Sequence, residues 1–147
     1  MNNRKAYTLI EVLLVVALLS IITGLAFPNT RTYLRIKEKK ELDEFRKDIL
    51  FARNKAIIES KNCFIYFNFE DNQYIIKHSE ESLPIKTKKF PSGIELSGKK
   101  NVLYFEFNCN GSTNKSGTIY LTTKFNDTYS ISLTPATGRL TMEKIKD

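Results

Sequence analysis

From Val12 to Phe27 the chain is apolar but for Ser20, Thr23 and Gly24, and one carboxylate, Glu11, stands at the head of the run. Few folds accept such a segment. Counted from Tyr7 it has about 21 residues, which as a helix reaches the ~30 Å hydrocarbon thickness of a bilayer. Arg4 and Lys5 precede it, so the charge bias keeps the leader cytoplasmic and sends the remainder across. An ordinary secretory signal has a shorter apolar core and a small-residue cleavage site after it. Here Ala26 runs into Phe27-Pro28, a poor site of that kind. A plain membrane anchor leaves Glu11 unexplained, because a carboxylate inside lipid is costly and marks function by default.

The order Ala6-Tyr7-Thr8-Leu9-Ile10-Glu11-Val12-Leu13 resembles the class III signal of type IV prepilins and pseudopilins: a small residue, an aromatic, Thr-Leu-Ile-Glu, then an apolar helix. The resemblance implies cleavage between Ala6 and Tyr7 by a membrane prepilin peptidase, and methylation of the new amino group on Tyr7. Ala6 and Tyr7 depart from the usual glycine and phenylalanine; both replacements keep the size class. Glu11 becomes the fifth mature residue, and in a filament its carboxylate pairs with the N-terminal amine of a neighbouring subunit. Pro28 falls where many pilins carry a helix-bending proline, and Gly24 nearby eases unwinding.

Four segments follow. Residues 1–6 are a leader, 7–27 a transmembrane and filament-core helix, 28–60 an amphipathic helix, and 61–147 a β-rich domain. Leu42, Phe45, Ile49, Ala52 and Ala56 recur at helical spacing and predict one buried stripe. The dense cluster Arg35, Lys37, Glu38, Lys39, Lys40, Glu41, Asp43 and Glu44 mixes both signs and reads as a solvated helix face.

After Ser60 the period changes to two. Strands are expected over 63–69, 73–77, 85–90, 102–107, 118–123, 128–134 and 140–145, with turns at Glu70-Asp71-Asn72, Pro91-Ser92-Gly93, Asn126-Asp127 and Pro135–Gly138. The fold class is therefore α+β: a long N-terminal helix, its first half transmembrane, packed on a C-terminal antiparallel β-sheet domain. Phe105-Glu106-Phe107-Asn108, Asn110-Gly111, Gly117-Thr118-Ile119, Tyr129-Ser130-Ile131 and Gly138-Arg139-Leu140 resemble minor pseudopilins of the GspH/FimT subgroup, competence members included. The partners this implies are the peptidase, other pilins in a filament, and the inner or cytoplasmic membrane.

FimT-like members bind DNA through a Gly-Arg-x-Arg element. Arg139 matches its first arginine and is a candidate DNA contact, but Thr141 replaces the second, and a tight turn with one surface charge is the favoured reading. The net charge of +7 comes mostly from lysine. Lys99, Lys100, Lys115, Lys124 and Lys144 could form a diffuse phosphate-binding surface. Cys63 and Cys109 fit no zinc spacing; two separately buried thiols are the favoured reading, and one disulfide between them in an exported domain is the alternative. His78 stands beside no nucleophile, and no catalytic, metal or cofactor motif is present, so the sequence reads as structural rather than enzymatic.

Overall fold

The computed structural model describes residues 8–26, 30–98, 102–115 and 117–145. By its contacts the chain divides into two units, Met1–Arg35 and Ile36–Asp147.

The first unit carries helix α1, Leu9–Ala26. Leu, Val and Ala dominate it, and its two hydroxyls are satisfied within the helix: Ser20 Oγ donates to the Val16 carbonyl at 2.8 Å and Thr23 Oγ1 to that of Leu19 at 2.8 Å. Its large apolar side chains lie 52–81% exposed, on every side of the helix. A helix apolar all round, with no core of its own, is built to be covered by lipid or other helices. Its 18 residues span about 27 Å. Among the described residues, no helix is long and apolar enough to cross a membrane.

Helix α2, Thr30–Ile58, begins in the first unit and runs through the second. Its buried residues are Glu38, Leu42, Phe45, Asp48, Ile49, Ala52 and Ala56. The expected apolar stripe is all there. Of the expected solvated face, Arg35, Lys37, Lys39, Lys40, Asp43 and Glu44 are exposed and Glu41 is half-buried; Glu38 departs from it, 3% exposed and continuing the stripe four residues before Leu42.

Eight strands follow: β1 Cys63–Asn68, β2 Gln73–Lys77, β3 Lys86–Lys89, β4 Glu95–Gly98, β5 Tyr104–Phe107, β6 Gly117–Thr122, β7 Thr128–Thr134 and β8 Arg139–Ile145. They form two antiparallel four-stranded sheets, ordered β3-β2-β1-β5 and β4-β6-β7-β8. Alternate residues of both sheets join the α2 stripe in one core, including Ile65, Ile76, Phe107, Ile119, Leu121 and Ile131. Phe45 sits among aromatic rings, edge-on to Tyr74 at 4.7 Å and Phe90 at 5.6 Å between centroids.

Strand β4 was not expected from its short, half-polar sequence. A distant residue explains it. Asn72, in the β1–β2 turn with φ of 52°, donates from its amide to the Ile94 carbonyl at 2.6 Å and accepts the Leu96 N–H at 2.8 Å. Leu96 then pairs with Leu121 in the second sheet, and the missing side chain of Gly98 makes room for the Phe69 ring.

Candidate functional site

Glu11 lies in the first turn of α1. Thr8 precedes the helix, and its carbonyl accepts the Glu11 N–H at 3.0 Å. Glu11 Oε2 accepts the Thr8 N–H at 2.9 Å and the Thr8 hydroxyl at 3.2 Å. The carboxylate thus reaches back to close the helix start, the reciprocal half of a capping box. It also places negative charge at the positive end of the helix dipole. Both donors are exposed, so nothing buries this arrangement within the subunit. Thr8 is the partner that sequence reading passed over; Thr-x-x-Glu before an apolar run was the available signal.

The other residues of the leader region divide. Ala6, Tyr7 and Pro28 lie outside the described residues. Gly24 lies within α1, and a Cβ there would meet nothing within 4 Å.

In the second unit the charged residues of α2 bind the helix to the sheets. Glu38 accepts the Lys124 backbone N–H at 3.0 Å, and Glu41 accepts that of Ser92 at 3.0 Å. Asp48, nearly buried, accepts the Tyr74 hydroxyl at 2.7 Å and pairs with Lys86. Burial, and then the Asp48 carboxylate, push the Tyr74 phenol well above its usual range. The Lys88 ammonium is held above its ordinary value by its 2.8 Å hydrogen bond to Glu44, whose carboxyl is lowered by the same contact. The partners in these pairs lie 26 to 86 residues apart in sequence.

Arg53 makes the fifth anchor. Its Nε donates to the Gly111 carbonyl at 2.8 Å and a terminal nitrogen to that of Thr137 at 3.3 Å. Thr113 accepts the Ala136 N–H at 2.9 Å in the same knot. Gly138 has φ of +59°, and a Cβ there would lie 2.3 Å from the Gly111 oxygen. Its glycine is therefore fixed by packing, and Arg139 beside it opens β8 with an exposed side chain. The arginine lines a groove of about 390 Å³ with Arg46, Tyr129, Leu140, Thr141, Met142 and Lys144.

The lysines expected to form one phosphate-binding surface do not stand alike. Lys115 hydrogen-bonds Tyr104 and lies over its ring at 4.7 Å. Lys144 pairs with Asp127 at 2.7 Å. Lys99 and Lys100 lie outside the described residues. The disulfide between Cys63 and Cys109 is not formed: both thiols are free, Cys63 buried on the core side of β1 and Cys109 exposed in the loop after β5. Burial pushes the Cys63 thiol up to about 11. His78 is half-buried, its ring nitrogens 2.9 Å from the Asn62 carbonyl and 2.7 Å from Glu59.

Comparison with known proteins agrees with this geometry. Residues 1–27 match the prokaryotic N-terminal methylation motif. The competence protein ComGD of Bacillus subtilis is 28% identical over 145 residues, covering 98% of this chain and 96% of that protein. In fold the chain is similar to the type IV minor pilin FimU of Pseudomonas aeruginosa, with a TM-score of 0.62, 17% identity, and coverage of 74% of this chain and 90% of that one. It is also similar to the minor pseudopilin EpsH of the Vibrio cholerae type 2 secretion system, with a TM-score of 0.57, 10% identity, and coverage of 74% and 97%. A methylation motif heading an exposed apolar helix, resemblance to a competence protein matched almost end to end, and a helix-on-sheet fold like that of solved minor pilins are what this chain shares with known proteins.

Proposed function

We propose that the chain is made as a membrane-anchored prepilin, cut between Ala6 and Tyr7, methylated on Tyr7, and built into a competence-type filament as a minor subunit. The observation that carries this reading is the carboxylate of Glu11, capping its own helix at the head of a segment exposed on all sides. An apolar helix without a core needs either lipid or neighbouring helices, and both are met in turn when a subunit leaves the membrane for a filament. Glu11 is satisfied by Thr8 before assembly. Inside the filament the same oxygens accept the methylated amine of a neighbour, so neither charge is left unpaired in apolar surroundings, which would cost several kcal/mol each. Pairing then fixes the register between subunits.

The anchor of this reading is the segment from Tyr7 to Phe27, whose two end residues lie outside the described part. The competence assignment follows the relative matched over nearly its whole length. The role is structural rather than enzymatic, and DNA contact by Arg139 is not needed for it.

The test is the intact mass of the chain purified from membranes of cells with and without the peptidase. Loss of six residues and gain of one methyl, only where the peptidase is present, is expected. An uncut N-terminus in peptidase-positive cells overturns the prepilin reading. Deletion of the gene should abolish transformation while leaving protein secretion intact; the reverse outcome moves the chain to a secretion filament.

A further inference from the structure

The second sheet ends in an open edge. Strand β8 pairs with β7 through all seven of its residues, and among the described residues no backbone group pairs along its other side. The remaining sheet edges, β3, β4 and β5, are four residues long, and β3 reads Lys-Thr-Lys-Lys, a charged edge that resists pairing. Strand β8 carries charge too, at Arg139, Glu143 and Lys144, but of both signs and interleaved with apolar residues. It is seven residues long, contains no proline, and carries Leu140, Met142 and Ile145, the last 40% exposed.

Against the same strand lies the groove of about 390 Å³. Arg46 enters it from α2 and Arg139 from the start of β8. Among the described residues neither guanidinium has a carboxylate partner, whereas Lys144 is held by Asp127. Leu140 and Met142 belong to the margin of the core. An unpaired strand edge and two unpaired guanidiniums on one groove are independent features with a single kind of complement.

We infer that β8 and this groove receive an extended, acidic segment of a companion filament subunit, which adds a strand to the sheet and sets a carboxylate between Arg46 and Arg139. Main-chain hydrogen bonds to the edge give such a contact its affinity, and the side-chain pocket gives it specificity. The fork of a guanidinium suits a carboxylate bidentately. A second copy of this chain carries the same +7 charge and is the poorer partner. A polyanion such as DNA needs a longer basic track. Here Lys144 is already paired with Asp127, and Lys115 is engaged with Tyr104.

The inference rests on the filament reading, and the experiment separates the two. The full-length chain, carrying a photo-crosslinking amino acid in place of Thr141, is expressed in cells that assemble the filament. Sheared filaments are irradiated, and adducts are identified by peptide mass. The expected adduct maps to an acidic, extended segment of a companion subunit. Arg46→Glu and Arg139→Glu each lower its yield by about tenfold or more, because a like charge then faces the partner's carboxylate. Their melting temperatures, measured alongside, stay within about 2 °C of the parent, as expected for exposed side chains. An adduct removed by nuclease, an adduct to a second copy, or no adduct in filaments that contain the chain overturns the inference and leaves the filament reading standing. Absence of the chain from filaments overturns that reading, and this inference with it.

Discussion

The cap that Glu11 makes and the filament contact proposed for it differ in whether they need its charge. In the free subunit its Oε2 accepts the Thr8 N–H at 2.9 Å and the Thr8 hydroxyl at 3.2 Å. Those bonds need an acceptor and no charge. The filament contact proposed above needs the charge. Glu11→Gln keeps an oxygen acceptor of the same reach, so the helix start survives, whereas Glu11→Ala removes both and costs in addition a cap worth about 0.5–2 kcal/mol. Removing one member of an ion pair in an apolar interior costs about 3–5 kcal/mol. That predicts a fall in filament incorporation of roughly a hundredfold to a few thousandfold for Glu11→Gln, with Glu11→Ala no better. The assay is immunoblotting of sheared filaments against the membrane pool, and the membrane pool should be unchanged for both. Incorporation of Glu11→Gln within twofold of the parent would refute the pairing argument. A normal Glu11→Gln beside a failed Glu11→Ala would show that the cap alone is what the filament requires.

Three further outcomes follow from the second unit and one from the first. Asp48→Ala strands the Tyr74 hydroxyl, 2% exposed, without its 2.7 Å partner; at about 1–3 kcal/mol for a buried unsatisfied group, calorimetry should show a melting temperature lower by about 5–15 °C, and Asp48→Asn roughly half that. Gly138→Ala drives a Cβ to within 2.3 Å of the Gly111 oxygen at φ of +59° and should cost about 2 kcal/mol or more in urea unfolding. Gly24→Ala, with open space around it, should leave protein level and processing unchanged and raise the helicity of an α1 peptide in detergent. On the alkaline side, the Cys63 thiol titrates near 9 when unfolded and about 11 when folded, so its contribution is complete below pH 9 and is lost between 9 and 11. The raised phenol of Tyr74 and raised ammonium of Lys88 act with the same sign, their contributions lost as pH rises from their ordinary values. Stability from these groups should therefore hold from pH 7 to 9 and fall above it, and Cys63→Ala should flatten that fall; an unchanged slope would refute the assignment to the thiol.

The elements legible in the sequence are those set by local pattern. The stripe Leu42–Phe45–Ile49–Ala52–Ala56 and the alternation of β1, β2, β6 and β7 depend on spacing alone, and each is buried as its period requires. What stayed hidden depends on contacts between distant residues. Strand β4 has too few apolar residues to declare itself and is held by Asn72 from another turn. Glu38 breaks the binary rule because its carboxylate meets the backbone of Lys124, 86 residues on. A carboxylate read as surface charge becomes buried only when a fold supplies its donor, and single-residue periodicity contains no such information. The candidate site divides the same way: Glu11 is legible because it violates the chemistry of its neighbours, whereas Arg46 is an unremarkable helix charge until β8 comes to lie beside it.

The Gly138-Arg139 pair shows how such readings can be separated. From sequence the two residues form one motif. In the structure they answer to different constraints. Gly138 is fixed by the Gly111 carbonyl and by a positive φ, inside a knot that Arg53 ties from α2. The backbone of Arg139 pairs with Thr134 and its N–H meets the Thr137 hydroxyl, but among the described residues its guanidinium has no carboxylate partner. Substituting the glycine therefore tests stability, and substituting the arginine tests recognition. If the knot exists to present Arg139, weakening it from the far side through Arg53→Ala should reduce partner contact at β8 even though Arg53 itself lies outside the groove. If the knot serves stability alone, Arg53→Ala should lower the unfolding midpoint and leave crosslinking at Thr141 unchanged in the fraction that remains folded. The two measurements assign the knot to one role or the other without reference to the motif that first drew attention to it.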